Sequence, residues 1–303
     1  YLCRWWKNRG IIIKKINFRQ ITQLDPNWVK SKINEFIKED MPNGDITTHI
    51  TLTENKVVSA KMIAMESLIF CGHEYLPFCF PGTCSTEVVA KDGENVNSGD
   101  VLVHVDGPAN QILTFERVIL NLTQRLCGIS TETYKYCKLN LPLGFKVMDT
   151  RKTTPGLRLF EKHAVSVGGG WNHRLDLSSA ILIKDNHIQA AGSIEKILDH
   201  IKNQNNTKVP IELEVDSIDQ LKEGLKYDLD GFLLDNMEPE EVKKCVELIR
   251  KKPDGETFFI EASGGINFNT LESYAGTGID GVSMSAITAN APSVDIKLEF
   301  NHD

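Results

Sequence analysis

Residues 210–236, "PIELEVDSIDQLKEGLKYDLDGFLLDN", predict one strand–helix–strand unit. Two short apolar runs, "IELEV" and "GFLLD", flank the helical stretch "SIDQLKEGLKY". Two strands that are joined through a helix in this way usually lie parallel in one sheet. The stretch therefore predicts a parallel α/β fold for this part of the chain.

The same alternation extends in both directions. Six apolar strands are predicted, with helical stretches among them, at "FKVMD" (145–149), "AILIKD" (180–185), "PIELEVD" (210–216), "GFLLDN" (231–236), "TFFIEASGG" (257–265) and "GVSMSA" (281–286). A complete barrel of such units has eight strands. Six predict an open or incomplete barrel, with its chemistry at the carboxyl ends of the strands.

The first half of the chain has a different pattern. Residues 27–38 predict an amphipathic helix, and residues 57–105 contain strand-like runs separated by turn-rich segments. A second helix is predicted from Gln111 to Arg125, where apolar residues recur at helical spacing. The alternating "SVDIKLEF" at 293–300 predicts a last strand that returns to the sheet of this first half.

Composition excludes several classes of protein. The chain of 303 residues is 41% hydrophobic and 25% charged, which is typical of a folded globular protein. Its net charge of -7 and pI near 5.7 argue against a general binder of nucleic acids or acidic membranes. No apolar run is long enough to span a bilayer, and no signal-peptide pattern is present. Seven scattered cysteines without a CxxC pair indicate reduced thiols, and we expect a cytoplasmic protein.

The first 24 residues contain six lysine and arginine residues and no acidic residue. Transit peptides share this charge bias, but they are also rich in serine, which this segment is not. We therefore predict that residues 1–25 are a basic extension outside the fold.

Positive charge is concentrated in two neighbouring stretches of this acidic chain. "DTRKTTPGLR" (149–158) supplies Arg151 and Lys152, and "NHRLDLSSAILIKDNH" (172–187) supplies His173, Arg174 and Lys184. Because the chain as a whole is acidic, local basic clusters predict local anionic ligands. The guanidinium fork of Arg174 suits a carboxylate. A structural role remains the alternative for Lys184 and for His187.

Two acidic residues end successive predicted strands. Glu214 and Asp235 could be solvated strand ends, but their equivalent positions favour a divalent cation such as Mg²⁺ on a phosphate substrate. In "EASGGI", Gly264 and Gly265 could form an ordinary turn. Alternatively, their backbone N–H groups and the Ser263 hydroxyl could bind a phosphate at the start of the next helix.

Taken together, these motifs resemble the quinolinate phosphoribosyltransferase family, from about residue 26 to the C-terminus. The matching stretches are "NGDITT" (43–48), "ER" (116–117), "DTRKTTPGLR" (149–158), "GGGWNHR" (168–174), "LIKDNHI" (182–188), "ELEVDS" (212–217), "LLDN" (233–236) and "EASGG" (261–265).

The resemblance implies an α/β protein with an N-terminal α/β sandwich and an open, incomplete α/β barrel of about six to seven parallel strands. We place the sandwich at 26–127 with 289–303, and the barrel at 128–288. The implied reaction joins quinolinate to phosphoribosyl pyrophosphate and yields nicotinate mononucleotide, pyrophosphate and CO₂, a step of de novo NAD biosynthesis. The implied assembly is a homodimer with shared active sites, with a hexamer left open.

Site residues follow from the same resemblance. The quinolinate pocket would contain Arg151, His173, Arg174 and Lys184. Lys152 would face phosphoribosyl pyrophosphate, and Arg117 would reach the site of the partner subunit. Glu214 and Asp235 would hold Mg²⁺ and the ribose, and together with Lys184 they are the predicted catalytic residues. The sugar phosphate would be surrounded by Ser263, Gly264, Gly265 and Ser285.

Two other functions remain open at this point. An aldolase-like lyase would use Lys184 to form a Schiff base with a carbonyl substrate. A metabolite-binding protein without catalytic activity would need the cations but has no need for acids at the strand ends.

Overall fold

The computed structural model describes residues 14–52, 56–203 and 209–301, which form two compact units. The first unit consists of residues 14–19, Lys138–Arg151 and Trp171–Ser285. The second consists of Gln20–Cys137, Lys152–Gly170 and residues 286–301.

The second unit is the α/β sandwich. Its strands are β1 (Val57–Ala64), β2 (Leu68–Ile69), β3 (Ser85–Val88), β4 (Asn95–Val96), β5 (Val101–Pro108) and the C-terminal β12 (Ile296–Phe300). Its helices are α1 (Pro26–Asp40), α2 (Ile46–Thr51), α3 (Ala109–Cys137) and α4 (Arg158–Val167). The main sheet is antiparallel in the order β12-β1-β5-β3, and β2 pairs with β4.

The strand order confirms that the C-terminal segment returns to this sheet. Strand β12 pairs with β1, where Met62 lies opposite Leu298. Helix α1 begins as its sequence predicts, because the Asp25 carboxylate accepts the N–H of Trp28 at 2.8 Å and caps the first turn.

The first unit contains the six predicted parallel strands. They are β6 (Lys146–Met148), β7 (Ile181–Ile183), β8 (Ile211–Val215), β9 (Gly231–Asp235), β10 (Phe259–Ser263) and β11 (Gly281–Ser283). The helices between them are α5 (Asp185–Ala191), α6 (Ile194–Asn203), α7 (Ile218–Gly224), α8 (Pro239–Arg250) and α9 (Leu271–Ala275). The strands lie in the order β6-β11-β10-β9-β8-β7. Among the described residues, β6 and β7 are the two edges, which confirms a sheet of the open-barrel type.

The predicted boundary between the domains differs from the structure at residues 128–137, 152–170 and 286–288. The prediction assigned them to the barrel, 128–288, whereas they belong to the sandwich unit. The physical reason is that α4 packs against α3. Arg125 of α3 forms a salt bridge of 3.1 Å with the fully buried Glu161 of α4, and this pair ties the helices together.

The prediction that residues 1–25 lie outside the fold is wrong for the part that the structure describes. In the first unit, Ile16 packs with Met148 and Phe259 and is 2% exposed. The Lys15 N–H donates to the carbonyl of Thr257, and Lys14 pairs with Asp280 at 3.0 Å. Residues 1–13 lie outside the described residues.

Lys14 and Lys15 have acidic partners that are distant in sequence. Lys15 lies 3.2 Å from Asp228 and 3.7 Å from Asp254, next to the amino ends of β9 and β10. In the second unit, Ile21 and Leu24 are also buried. The described part of the segment therefore contributes to the core, and the charges of Lys14 and Lys15 are neutralised locally.

Two further observations bear on the class of protein. No helix in the described part of the chain has the length and apolar character that crossing a membrane requires. The six described cysteines are free thiols, while Cys3 lies outside the described residues.

Candidate active site

Polar side chains gather at the carboxyl ends of β7 to β10, as the sequence predicted. In the sheet register, Glu214 lies beside Leu233, and Asp235 lies beside Ser263. Lys184 directly follows β7. We refer to Lys184, Glu214, Asp235 and Ser263 as the edge group. Its members come from four neighbouring elements of one sheet.

Lys184 and Glu214 form the closest contact in the edge group. The ammonium Nζ lies 2.5 Å from Glu214 Oε2, and the side chain of Lys184 is 42% exposed whereas that of Glu214 is 11% exposed. Burial raises the pKa of Glu214, Lys184 opposes this shift, and the charge of Asp235 adds to it. The partner that Lys184 needs is therefore a carboxylate of the next strand.

This ion pair argues against Schiff-base chemistry. A lysine that attacks a carbonyl must be a neutral amine in an environment that disfavours its charge. Lys184 instead lies against the carboxylate of Glu214, and this contact would have to break before the amine could attack a carbonyl. His187 has the structural role that the sequence left open, because its Nδ1 accepts the backbone N–H of Lys184 at 2.9 Å in the first turn of α5.

Two arginines of the first unit lie near each other. Arg174 is buried, and its Nη1 donates to the carbonyl of Ala180 at 3.0 Å. Burial and the nearby charge of Arg151 lower the pKa of Arg174, partly offset by Glu212 and Glu214. Two guanidinium groups held together in this way repel each other. An anion bound between them would remove that repulsion, so this part of the unit is suited to an anionic ligand.

The segment that carries His173 and Arg174 is fixed by a buried aspartate. Asp149 follows β6 and has no exposed surface. Its Oδ1 accepts the His173 N–H at 2.8 Å, and its Oδ2 accepts the Asn172 side-chain amide at 2.9 Å. Asp149 therefore positions the segment on which the predicted substrate-binding residues lie.

Beneath the edge group lies a cluster that the sequence did not predict, formed by His173, Glu212 and Glu261. We refer to it as the buried triad. His173 Nε2 lies 3.2 Å from Glu261 Oε1 and 3.5 Å from Glu212 Oε2, and the three side chains are at most 6% exposed. Since strand residues alternate, Glu212 and Glu261 point to the same face as Glu214 and Ser263, one step deeper in the sheet.

The triad has unusual electrostatics. Burial acts to lower the pKa of His173, whereas the charges of the two carboxylates act to raise it. Burial and the charge of Glu261 raise the pKa of Glu212 to about 7, against the pull of His173. Two buried carboxylates near each other cannot both be ionised at low cost, so we expect this cluster to share protons.

The glycine turn after β10 has the shape that the phosphate hypothesis requires. Gly264 has φ +90°, and a Cβ there would lie 2.2 Å from the Asn236 side chain, so no other residue fits. Gly265 has φ +66°, and a Cβ there would meet nothing within 4 Å. The backbone at Gly265 therefore borders open space.

One detail of that hypothesis is wrong. The sequence predicted that a phosphate would bind at the N-terminus of the next helix, but α9 begins only at Leu271 and has five residues. The turn residues themselves, and not the helix, are the candidate phosphate donors.

Glu214 and Asp235 offer carboxylate oxygens of the kind that Mg²⁺ uses. The charge of Asp235 helps to raise the pKa of Glu214, so a cation beside them would relieve a repulsion that the structure contains. Asp235 also accepts the Asn236 amide at 2.6 Å. Two such carboxylates fit a Mg²⁺ ion that is completed by substrate phosphates and water.

Three other predicted site residues lie elsewhere in the chain. Ser285 follows β11 in the first unit and is partly buried. Arg117 on α3 and Lys152 are exposed and belong to the second unit. Their predicted roles stay predictions.

The sequence contains a signal for two members of the triad. "IELEV" and "FIEAS" place Glu212 and Glu261 two residues before Glu214 and Ser263, at positions that face the same side. Burial of charged residues at such positions in a parallel sheet costs free energy unless each charge has a partner. Only the three-dimensional structure shows that the partner is His173.

The fold and the edge group together define an α/β-barrel protein whose candidate site lies at the carboxyl ends of its strands. Comparison with known proteins makes the assignment specific. Residues 129–299 match the C-terminal domain of quinolinate phosphoribosyl transferase, and residues 45–127 match its N-terminal domain. The chain belongs to the quinolinate phosphoribosyltransferase family.

Individual relatives match over nearly their whole length. A probable nicotinate-nucleotide pyrophosphorylase [carboxylating] of Bacillus subtilis is 36% identical over 274 residues, which are 89% of this chain and 93% of the relative. The corresponding protein of Mycobacterium leprae is 35% identical, over 89% of this chain and 96% of the relative. The solved nicotinate-nucleotide pyrophosphorylase of Francisella tularensis superposes with a TM-score of 0.85 at 33% identity, covering 94% of this chain and 100% of that structure.

Proposed function

We propose that this chain is a pentosyltransferase that transfers the phosphoribosyl group of phosphoribosyl pyrophosphate to quinolinate, with loss of CO₂. The products are nicotinate mononucleotide and pyrophosphate, a step of de novo NAD biosynthesis. The family match covers both units, and its relatives carry the name of this activity. The single structural observation that carries the proposal is the edge group, in which Lys184, Glu214, Asp235 and Ser263 come together at the carboxyl ends of neighbouring parallel strands.

The charges of the two substrates account for the basic residues. Quinolinate has two carboxylates, and with the three phosphate groups of the co-substrate the total is about seven negative charges. Arg151, Arg174 and Lys184 would bind the pyridine diacid. Ser263, Gly264, Gly265 and Ser285 would donate to the sugar phosphate, and Lys152 would face the pyrophosphate.

In the reaction, the pyridine nitrogen forms a bond to C1 of the ribose while the bond from C1 to the pyrophosphate oxygen breaks. The carboxylates of Glu214 and Asp235 would stabilise the positive charge that develops on C1. Magnesium bound through Glu214, Asp235 and the substrate would supply the charge that stabilises the departing pyrophosphate. The pyridinium ring then accepts the electron pair of the breaking C–CO₂ bond, and that carbon takes a proton from water.

The protein side of this chemistry is mainly orientation. Arg174 and Lys184 hold carboxylates, and neither has to exchange a proton during the reaction. The contact between Lys184 and Glu214 holds the two side chains together before substrates bind. A carboxylate of quinolinate would then compete with Glu214 for the Lys184 ammonium. Glu214 would thereby become available to Mg²⁺ and to the positive charge that develops on C1.

The test uses quinolinate labelled in its 2-carboxylate. Incubation with phosphoribosyl pyrophosphate and Mg²⁺ should release labelled CO₂ and form the unlabelled mononucleotide in equal amounts. An absence of both products with protein that binds quinolinate would support a non-catalytic metabolite-binding protein instead. Inactivation by borohydride in the presence of a carbonyl substrate would support the lyase.

We also propose a homodimer in which Arg117 acts in the site of the partner subunit. Its exposure on α3 is compatible with this role. Subunits with Arg117→Ala and with Lys184→Ala, each inactive alone, should recover part of the activity when mixed dimers form. Mixed dimers without activity would contradict shared sites. A measurement of the molar mass in solution would decide whether dimers associate into hexamers.

We expect the protein to act in the cytoplasm.

A further inference from the structure

The hydrogen bonds of His173 determine which of its nitrogens carries the proton. The backbone N–H of Arg174 donates to Nδ1 at 2.8 Å. An N–H group can donate only to an unprotonated ring nitrogen, so the proton of the neutral ring lies on Nε2. Nε2 faces the carboxylates of Glu261 and Glu212.

Glu261 is the nearer of the two carboxylates. Its Oε1 lies 3.2 Å from Nε2 and also accepts the hydroxyl of Ser283 at 3.1 Å. The Ser283 hydroxyl therefore fixes the Glu261 oxygen that lies closest to the ring. Glu212 lies opposite at 3.5 Å, so Nε2 faces two carboxylates at once.

The ring is also fixed from its face. Phe18 lies with its ring centroid 4.3 Å from that of His173, at an interplanar angle of 35°. His173 is thus held by aromatic contact, by the Arg174 amide and by the carboxylates. Its 5% exposure leaves little surface for a substrate.

We propose that Glu261 and Glu212 are positioning residues for the quinolinate site, which act through His173 to hold Arg174. Carboxylate oxygens beside Nε2 favour the ring tautomer that carries its proton on Nε2, and this leaves Nδ1 free to accept the Arg174 amide. This fixes the backbone from which the Arg174 guanidinium extends, while the Ala180 carbonyl fixes its other end. His173 thereby positions Arg174.

The inference rests on the proposed function only in its kinetic part. The arrangement of hydrogen bonds is a property of the protein without substrates, and it can be measured separately. This separation distinguishes a failure of the positioning hypothesis from a failure of the proposed reaction.

The key variant is Glu261→Gln. A glutamine has nearly the same shape but can present an NH₂ group to Nε2, which favours the tautomer with the proton on Nδ1. The Arg174 N–H would then face another donor and lose its partner. We expect the quinolinate KM to rise about tenfold and the KM for phosphoribosyl pyrophosphate to stay within about twofold. Glu212→Gln should act in the same direction with a smaller effect, because Glu212 is the more distant acceptor.

The substrate-free measurement is nitrogen-15 NMR of histidine-labelled protein. The His173 signals, assigned through His173→Phe, should show an unprotonated Nδ1 and a protonated Nε2 in the parent protein. Glu261→Gln should shift both signals. Exposed Glu247→Gln on α8 is the matched control and should change neither the spectrum nor either KM.

Each outcome has a defined meaning. Unchanged His173 signals and an unchanged quinolinate KM in Glu261→Gln would overturn the proposal. An equal rise of both KM values would also overturn it, since the effect would not be specific to Arg174. A stoichiometric transition metal that is lost on Glu261→Gln would show that the cluster holds a cation and not a proton. If Glu261→Gln does not fold, Glu212→Gln carries the same test. If the parent protein forms no mononucleotide, the proposed reaction fails, and the NMR result alone decides on the triad.

Discussion

The glutamates of the buried triad lie on the same face of the sheet as the edge group, two residues before Glu214 on β8 and two residues before Ser263 on β10, yet the two clusters differ in almost every physical respect. In the edge group, Lys184 is 42% exposed and pairs directly with a carboxylate. In the triad, His173 and two glutamates are nearly excluded from water. Water and mobile ions are available to the first cluster and not to the second. Charges at the edge can therefore exchange partners with a substrate, whereas those of the triad can only hold their neighbours.

This difference separates substrate binding from positioning. A solvent-exposed charge can lose its partner at a small cost in free energy while a ligand binds. A buried charge that loses its partner is expensive, so its arrangement is kept in all states of the protein. We infer that variants of the edge group change kinetic constants, while variants beneath it change geometry and stability.

The largest effect is expected for Lys184→Ala. It removes a cation from the edge group and leaves Glu214 without its partner, so kcat/KM should fall by about 100-fold or more. The control is Lys222→Ala, which removes a lysine from the exposed Lys222–Asp219 pair and should leave kcat/KM unchanged. Equal activity of the two variants would mean that a lysine of the edge group contributes no more to the reaction than an exposed surface lysine.

Arg174→Lys should have the next largest effect. The charge remains, but the planar fork that can hold a carboxylate with two hydrogen bonds is lost. We expect the quinolinate KM to increase by about tenfold, with little change in the KM of phosphoribosyl pyrophosphate. Steady-state kinetics with each substrate varied in turn measures both, and an unchanged quinolinate KM would contradict the assigned role.

Ile16→Val examines the other end of the same sheet. Ile16 packs on Met148 and Phe259, and its Cδ1 would lie 2.8 Å from a Cβ at Gly231. Loss of one buried methyl group should lower the free energy of unfolding by about 1 kcal/mol without a change in either KM. Denaturant unfolding measures the first quantity. A variant as stable as the parent would mean that the segment 14–19 contributes little to the core.

The smallest effect is expected for Asp92, a partly buried carboxylate of the sandwich unit that contrasts with Glu212. Burial acts to raise the pKa of Asp92, but the nearby His163 and hydrogen bonds from the amides of Gly72 and His73 outweigh it and hold the pKa below its usual value. Those amides lie 2.6 and 2.8 Å away. A depressed pKa in the folded state contributes stability above the ordinary pKa of 3.8, and this is lost as the pH falls through the lower folded value.

Asp92→Asn should therefore lower Tm near neutral pH and flatten the decline of Tm between about pH 5 and pH 2. Thermal unfolding followed across this range provides the test. A parallel decline in the parent and the variant would show that Asp92 does not contribute to acid sensitivity.

Much of the fold could be predicted because its signals are local. The six strands of the barrel and the helix of residues 27–38 follow from short periodic patterns, and the edge residues follow from where those strands end. Ile16 and Phe18 could not be placed in this way. Their alternation spans only a few residues among lysines, and their partners, Phe259 and His173, lie more than 150 residues away.

The candidate site divides along the same line. Lys184, Glu214 and Asp235 end their strands and were visible in the sequence, whereas the triad depends on a histidine from a loop that meets two separate strands. The roles of Arg117 and Lys152 stay predictions, because each depends on groups outside the first unit.

The most direct test of the account is a crystal structure with quinolinate bound. We predict that its carboxylates lie within hydrogen-bonding distance of the Arg174 guanidinium and the Lys184 ammonium, while His173 keeps its contacts to Glu261 and to the Arg174 amide. Quinolinate bound elsewhere, with Arg174 and Lys184 unchanged, would contradict the proposed function. Quinolinate bound directly to a His173 that has left Glu261 would contradict the division between binding and positioning.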